Sequence, residues 1–232
     1  MIIRLRELTG MALKITNFKL CIGFPCTWSH VPFPFFQSFI QMERPEFTPI
    51  IACNGPVDGL RNKIVVDAIN AGASHLIMMD IDQTYPVDAI TKLLSHNFPI
   101  VGCLVHRRYP PFDPLIFKGD INTYQHIAEW EEGELIEVDA TGTGCLMFDM
   151  RVFHDLPPPW FRFRPNPDPE RSGTVGEDFG CCSDLRKIGH KIFVDTSIKC
   201  GHLSTMEITE ETHWLFKALK KKQIQANKEK TK

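Results

Sequence analysis

The chain has 232 residues, 43% of them hydrophobic and 23% charged, with 26 Lys and Arg against 28 Asp and Glu for a formal net charge of -2. This is enough material for one domain with a substantial core, and it excludes a disordered chain. The near-even charge balance gives no global reason to expect nucleic acid or an anionic membrane as partner, so any phosphate affinity must be local.

Met1 to Lys14 mixes Ile and Leu with Arg, Glu and Lys and reads as an extension, assigned to residues 1–15, ahead of a single domain over 16–215. The apolar run Lys19 to Phe24 is expected to be a strand. An aromatic segment from His30 to Met42 follows, a helix whose start Pro32 and Pro34 restrict, and then a strand Thr48 to Cys53. Leu60, Ile64, Val65, Ala68 and Ile69 recur at helical spacing, and Gly72 supplies the stop. Strand His75 to Asp80 is next, then a helix from about Pro86 to His96 with Val87, Ile90, Leu93 and Leu94 on one face, then strand Pro99 to Val105. Strands alternating with helices imply a three-layer α/β sandwich around a parallel sheet, because parallel neighbours need crossovers that cover both faces.

The second half departs from that rhythm. Leu135 to Val138 and Gly144 to Phe148 read as strands around the turn Ala140-Thr141-Gly142-Thr143-Gly144, with mixed or antiparallel pairing expected. Proline-heavy Leu156 to Glu170 reads as a lid or binding loop, in which Trp160, Phe161 and Phe163 offer flat apolar surface for an acceptor or simply anchor the loop to the core. A helix Glu177 to Ile188, Gly189 and a strand Lys191 to Val194 follow. Residues 216–232 form a Lys-rich tail expected to be a helix that frays.

The eight cysteines (21, 26, 53, 103, 145, 181, 182 and 200) show no C-x-x-C spacing and read as reduced thiols. With no secretory segment and no apolar stretch of ~18 residues, the expected compartment is the cytoplasm and no transmembrane segment is expected.

The chemistry starts where the apolar run Leu76 to Met79 ends in Asp80-Ile81-Asp82. Residues two apart in an extended segment point the same way, so both carboxylates can reach one ligand at the strand's mouth, and such oxygen ligands suit Mg or Mn. One acid capping a helix with the other in solvent is the plainer reading of any D-x-D. Arg61, in the turn-to-helix segment after Cys53, can hold a phosphate or pair with Asp58. Glu177 and Asp178 open a helix, where the macrodipole favours acids without any catalytic purpose; a general base is the functional alternative. His202 can complete a Mn site begun by Asp82, while the Cys200-Gly201-His202 run lacks the four-ligand spacing of a zinc site.

Taken in order, Gly59-Leu60-Arg61-Asn62, His75 to Asp82 with its D-x-D, Val138 to Gly144, Gly176-Glu177-Asp178 and Val194 to His202 resemble the GT-A glycosyltransferases, especially small family 2-like enzymes of bacteria and phages. The resemblance spans about Phe18 to Leu203. It implies a GT-A sandwich with a mixed, mainly parallel sheet, and transfer of a sugar from a nucleotide-diphosphate donor (a UDP- or GDP-sugar) to an acceptor hydroxyl. By the same resemblance, Asp82 and His202, with Asp80 close by, hold Mn2+ or Mg2+. Pro25, Arg61, Asp80, Ile81, Asp82, Gly142, Thr143 and Gly144 belong to the nucleotide and sugar sites. Asp178 is the base of an inverting reaction with Glu177 its neighbour, and Trp160 serves the acceptor or lid.

Two rivals stand beside it. Asp80-Ile81-Asp82-Gln83-Thr84 also resembles the D-x-D-x-T of haloacid-dehalogenase-like phosphatases, although there the motif occupies the first strand. A non-catalytic nucleotide-sugar-binding module is the other. The acceptor, the donor sugar and a homo-oligomeric state stay open.

Overall fold

The computed structural model describes residues 18–121, 123–166 and 173–229, the last seven by backbone alone; Met1 to Lys14 lies outside the described residues. In chain order the elements are β1 (Leu20–Cys26), α1 (Phe33–Gln41), β2 (Phe47–Cys53), α2 (Val57–Asn70), β3 (His75–Met79), β4 (Gln83–Thr84), α3 (Ala89–Ser95), β5 (Ile100–Leu104), β6 (Ile116–Lys118), β7 (Gln125–His126), β8 (Leu135–Val138), β9 (Ala140–Thr141) and β10 (Cys145–Asp149). A 3-10 turn over Met150–Phe153 leads to β11 (Arg164–Pro165), β12 (Thr174–Val175), α4 (Glu177–Lys187), β13 (Ile192–Lys199), β14 (Gly201–His202) and α5 (Glu210–Glu229).

Seven strands form the central sheet in the order β2-β1-β3-β10-β5-β13-β8. β2, β1, β3, β5 and β13 run one way, while β10 and β8 run the other. This is the mixed, mainly parallel α/β sandwich expected from the sequence. Side chains alternate across the strands, so Cys21, Leu76, Met78, Leu146 and Phe148 bury on one face with Leu60, Ile64 and Ala68 of α2 and Leu185 of α4. Leu20, Ile22, Ile77, Met79 and Met147 bury on the other with Phe35 of α1 and Ile90 and Leu93 of α3. Both faces of the interior strands are dry, which is why their sequences read as continuous apolar runs.

Two expectations need correction. Residues 86–88 are not helical: α3 starts at Ala89, and the Val87 carbonyl accepts the Glu43 N–H at 2.7 Å, which holds that turn against the α1–β2 connection and leaves Val87 exposed. The strand expected at Lys191 to Val194 continues to Lys199 past an irregularity between Asp195 and Lys199. The mixed or antiparallel pairing expected around the glycine-rich turn is found: β10 runs antiparallel between β3 and β5, and β8 runs antiparallel at the edge beside β13.

The described part of the proline-rich segment is anchored at Leu156 to Phe161. Trp160 is 4% exposed, packs on Phe153, and its indole N–H lies 2.8 Å from the Leu156 carbonyl. Asn62 of α2 clamps the same place, its Oδ1 accepting the Trp160 and Phe161 N–H groups at 2.9 and 3.1 Å while its Nδ2 donates to the Phe161 carbonyl at 2.6 Å. The acceptor or lid role expected for Trp160 is therefore corrected to that of a buried anchor. No helix among the described residues is long and apolar enough to cross a membrane.

Truncating the anchor removes a large buried ring, so Trp160→Ala is expected to lower unfolding free energy by about 3–5 kcal/mol in a urea titration followed by fluorescence or circular dichroism. A loss below ~1 kcal/mol would mean that the ring is not packed in the core.

Candidate functional site

The parallel strands all end at one edge of the sheet, and the antiparallel β10 begins there. Chain direction alone therefore delivers Asp80 and Asp82 after β3, Arg107 and Arg108 after β5, Gly142 to Gly144 before β10 and His202 after β13 to the same edge. Open α/β sheets bind ligands at such an edge.

One small feature joins the two halves of the site. β14 pairs antiparallel with β4, setting His202 opposite Gln83 and Gly201 opposite Thr84, and the Leu203 N–H donates to the Asp82 carbonyl at 2.7 Å. Gly201 permits that approach, because a Cβ there would run into Thr84 Oγ1. As a result Asp82 Oδ2 lies 3.5 Å from His202 Nε2, although the residues are 120 positions apart in the chain. His202 Nδ1 donates to the His106 carbonyl at 2.8 Å, which fixes the tautomer and leaves Nε2 facing the acid.

Burial would lower the His202 pKa, but the hydrogen bonds to Asp82 and to the His106 carbonyl, together with the Asp82 charge, outweigh that and hold it above the ordinary histidine value. Burial would raise Asp82, yet His202 and Arg108 together hold it below the usual carboxylate range. A cationic group already sits on this acid: the half-exposed Arg108 guanidinium lies 2.7 Å from Asp82 Oδ2. An acid and a neutral-capable imidazole, the latter oriented from behind by a carbonyl, form a donor pair that fits Mn2+ or Mg2+.

Asp80 points elsewhere. Its carboxylate faces the buried Arg61, with Nη2 at 3.0 and 3.2 Å from its two oxygens, and Arg61 Nε donates to Glu177 Oε1 at 3.0 Å. Arg61, at 4% exposure, is thus a clamp between two acids and not an open phosphate hook, and its partner is not Asp58. Asp80, expected beside the ion with Asp82, here directs both oxygens at the Arg61 guanidinium. Burial opposes the charge on Arg61, but Asp80, Glu177 and Asp178 more than offset this and raise its pKa above the ordinary arginine value.

Asp178 completes this cluster. One guanidinium serves three carboxylates, so burial and the charge of Glu177 push Asp178 up to about 7 even though its Oδ1 accepts the Phe179 N–H at 2.8 Å. Gly142 lies beside it, where a Cβ would sit 3.8 Å from Asp178 Oδ2 and 3.6 Å from Leu115 Cδ1. Gly144 is packed more tightly: a Cβ there would strike Gln83 Nε2, and its carbonyl accepts the Asp80 N–H at 2.9 Å and lies 2.9 Å from the Tyr85 hydroxyl. Thr143 Oγ1 is buried between these glycines without a hydrogen-bond partner among the described residues.

Pro25 is enclosed in β1 opposite Ala52, and Ile81 is 5% exposed, so both support the edge from within the core. Sequence reasoning missed Arg108, the His106 carbonyl and Tyr85. It also missed Trp28, which stacks on His30 at 5.7 Å in the exposed turn following β1. The signal for Arg108 was present in the basic run His106-Arg107-Arg108 directly after a strand.

No protein-family model matches the chain, and no curated protein does. Among solved structures the fold is similar to A197 from STIV, with TM-score 0.57 and 13% identity over 81% of this chain and 87% of that one. It is also similar to GalNAc-T7, solved with UDP, GalNAc and Mn2+, with TM-score 0.54 and 13% identity over 82% of this chain. The match spans 44% of the GalNAc-T7 chain. Together with the sheet order, these likenesses define the class: the chain has a GT-A-type α/β fold.

The raised Asp178 has a consequence for stability. Between the ordinary value of 3.8 and about 7, the folded state holds a proton that the unfolded state has released, so stability falls as pH rises across that window. Melting temperatures from pH 4 to 8 are expected to show Asp178→Asn losing this decline and exceeding the wild type at the alkaline end. Removing the shared cation is expected to act oppositely, with Arg61→Met lowering stability at pH 7 by about 3–5 kcal/mol.

Proposed function

We propose that the chain is a metal-dependent glycosyltransferase that moves a sugar from a nucleotide-diphosphate sugar to an acceptor hydroxyl, with residues 16–215 as its catalytic unit. The observation that carries this reading is the convergence of Asp82 and His202 at the sheet edge with a cationic side chain already between them and solvent. The GT-A-type fold supports it, and GalNAc-T7, a structural neighbour, binds UDP, GalNAc and Mn2+. When bound, Mn2+ or Mg2+ supplies positive charge against the diphosphate as it leaves.

The chain's own residues do the rest. Asp178, titrating near neutrality beside Gly142, takes the proton of the attacking acceptor hydroxyl, and inversion at the sugar carbon follows from attack opposite the leaving group. Arg61 holds Glu177 in place beside Asp178 at the head of α4. The backbone at Gly142 and Gly144 and the unpartnered Thr143 hydroxyl offer the sugar a close, polar wall. Arg108, exposed and held among the described residues only by Asp82, is able to swing from the acid to a phosphate. Trp28 on its exposed turn supplies a flat surface for a nucleobase.

A phosphatase with Asp80 as nucleophile is disfavoured by the same coordinates, because that carboxylate is locked on Arg61 and its strand is the third in the chain. A binding module lacking a base is disfavoured by Asp178.

UDP and GDP are expected to raise the melting temperature only with Mn2+ present, and Asp82→Asn or His202→Ala to abolish that protection. Nucleotide protection independent of added metal and of both substitutions would sink the reading. For turnover, Asp178→Asn is expected to keep metal-dependent nucleotide binding while slowing hydrolysis of the accepted sugar nucleotide by about 10²–10⁴-fold. In the wild type kcat is expected to rise with pH through about 7, as the base loses its proton. Turnover of p-nitrophenyl phosphate with no response to sugar nucleotides would favour the phosphatase instead.

A further inference from the structure

Behind the Asp82–His202 edge, three thiols that the proposed transfer does not use meet in the core. Cys103 ends the run of β5, Cys145 opens β10 and Cys200 follows β13; their Sγ atoms all lie within 4.8 Å of one another, with Cys103 and Cys145 at 2.9 Å. They are 3%, 1% and 8% exposed. The sheet register produces the meeting. Leu146 faces Gly102 across the antiparallel β10–β5 pair, so Cys145 and Cys103 are the next cross-strand partners. The irregularity in β13 then lifts Cys200 beside them, its N–H donating to the Leu104 carbonyl at 2.9 Å.

We infer that this cluster is a binding site for one soft, thiophilic cation, Cu(I) or Zn(II), distinct from the hard-ion pair at the edge. Sulfurs bonded to one ion at 2.3 Å stand about 3.8–4.0 Å apart, a spacing that lies inside the observed range and is reached by modest side-chain rotation. The donor set is all sulfur, which selects Cu(I) or Zn(II) over the Mg2+ or Mn2+ suited to Asp82. Each ligating sulfur binds as a thiolate, and its proton leaves to solvent as the ion enters.

Cys145 directly follows Gly144, and Cys200 lies two residues before His202. An ion here would therefore tie β5, β10 and β13 together under the edge and stiffen the backbone that carries the Tyr85–Gly144–Asp80 contacts. The spacing 103, 145, 200 gives no local motif, which is why the sequence argued against zinc.

The test uses the full chain, reduced and stripped with chelator, then offered Zn(II) or Cu(I) in separate arms against chromophoric competitors, with Cd(II) as an absorbance probe of metal–thiolate bonds. One equivalent of one ion per chain is expected, together with a higher melting temperature and protection of Cys103, Cys145 and Cys200 from alkylation while exposed Cys53 stays reactive. Cys145→Ala and Cys200→Ala are each expected to weaken uptake by more than the about 10- to 100-fold typical of losing a ligand's hydrogen-bond partner. Cys53→Ala and Asp82→Asn are expected to leave uptake unchanged, which separates this site from the edge pair. Three results would each overturn the inference: no stoichiometric uptake of either ion by the folded chain, uptake undiminished in both thiol variants, or a Cys103–Cys145 disulfide recovered from unreduced protein that takes up neither ion. If either alanine variant fails to fold, the alkylation map of the wild type with and without ion decides alone.

Discussion

A ladder only two residues long on each strand governs the site. β4 and β14 are too short to contribute much stability, yet their pairing is what sets His202 beside Asp82. Its geometry rests on a glycine at 201, where a side chain would collide with Thr84, and on the carbonyl of His106, which turns the imidazole so that the correct nitrogen faces forward. The larger sheet supplies the platform: five strands ending at one edge, with β10 returning antiparallel between β3 and β5, bring the ends of five separate segments within reach of one another. The catalytic reading inherits its plausibility from this convergence and would have no basis in any one segment.

The second organising constraint is electrostatic. Arg61 is sealed in the core with Asp80 and Glu177 against it, and Asp178 is left as the acid whose charge is least compensated. Placing three carboxylates around one guanidinium destabilises the fully ionised folded state, and the protein resolves this by holding a proton near neutral pH. A group that exchanges a proton in that range is what acid–base chemistry needs, so the local instability and the proposed activity have one origin. The conserved charge of Arg61 in every relevant protonation state makes it a positioning residue for the pair at the head of α4.

Hard and soft chemistry are separated by the thickness of a strand. Oxygen and imidazole donors collect at the wet edge, whereas sulfur collects on the dry face among Met79, Met147 and Ile198. Glycine 144 and glycine 201 lie at the border between the two, each in close contact with a polar side chain. Whatever holds the thiols together also holds the backbone on which the acid and imidazole are mounted.

Much of the fold was legible in the chain because burial imposes periodicity: the two-sided apolar runs of β1, β3 and β5 and the 3.6-residue spacing of α2 follow from covering both faces of a sheet. The acids at the end of β3, the acidic start of α4 and His202 could be singled out as chemical groups for the same reason, since polar residues at the end of an apolar run must face a surface or a partner. Which partner each met was decided only by tertiary structure. Arg61, readable as a phosphate ligand or a partner of Asp58, is buried between Asp80 and Glu177; Trp160, readable as a lid or an anchor, is a core anchor; and three cysteines without a motif share one pocket. Sequence patterns report whether a side chain is covered, a property of its own segment; contacts between residues from 42 to 120 positions apart depend on strand order and register, which no local pattern encodes.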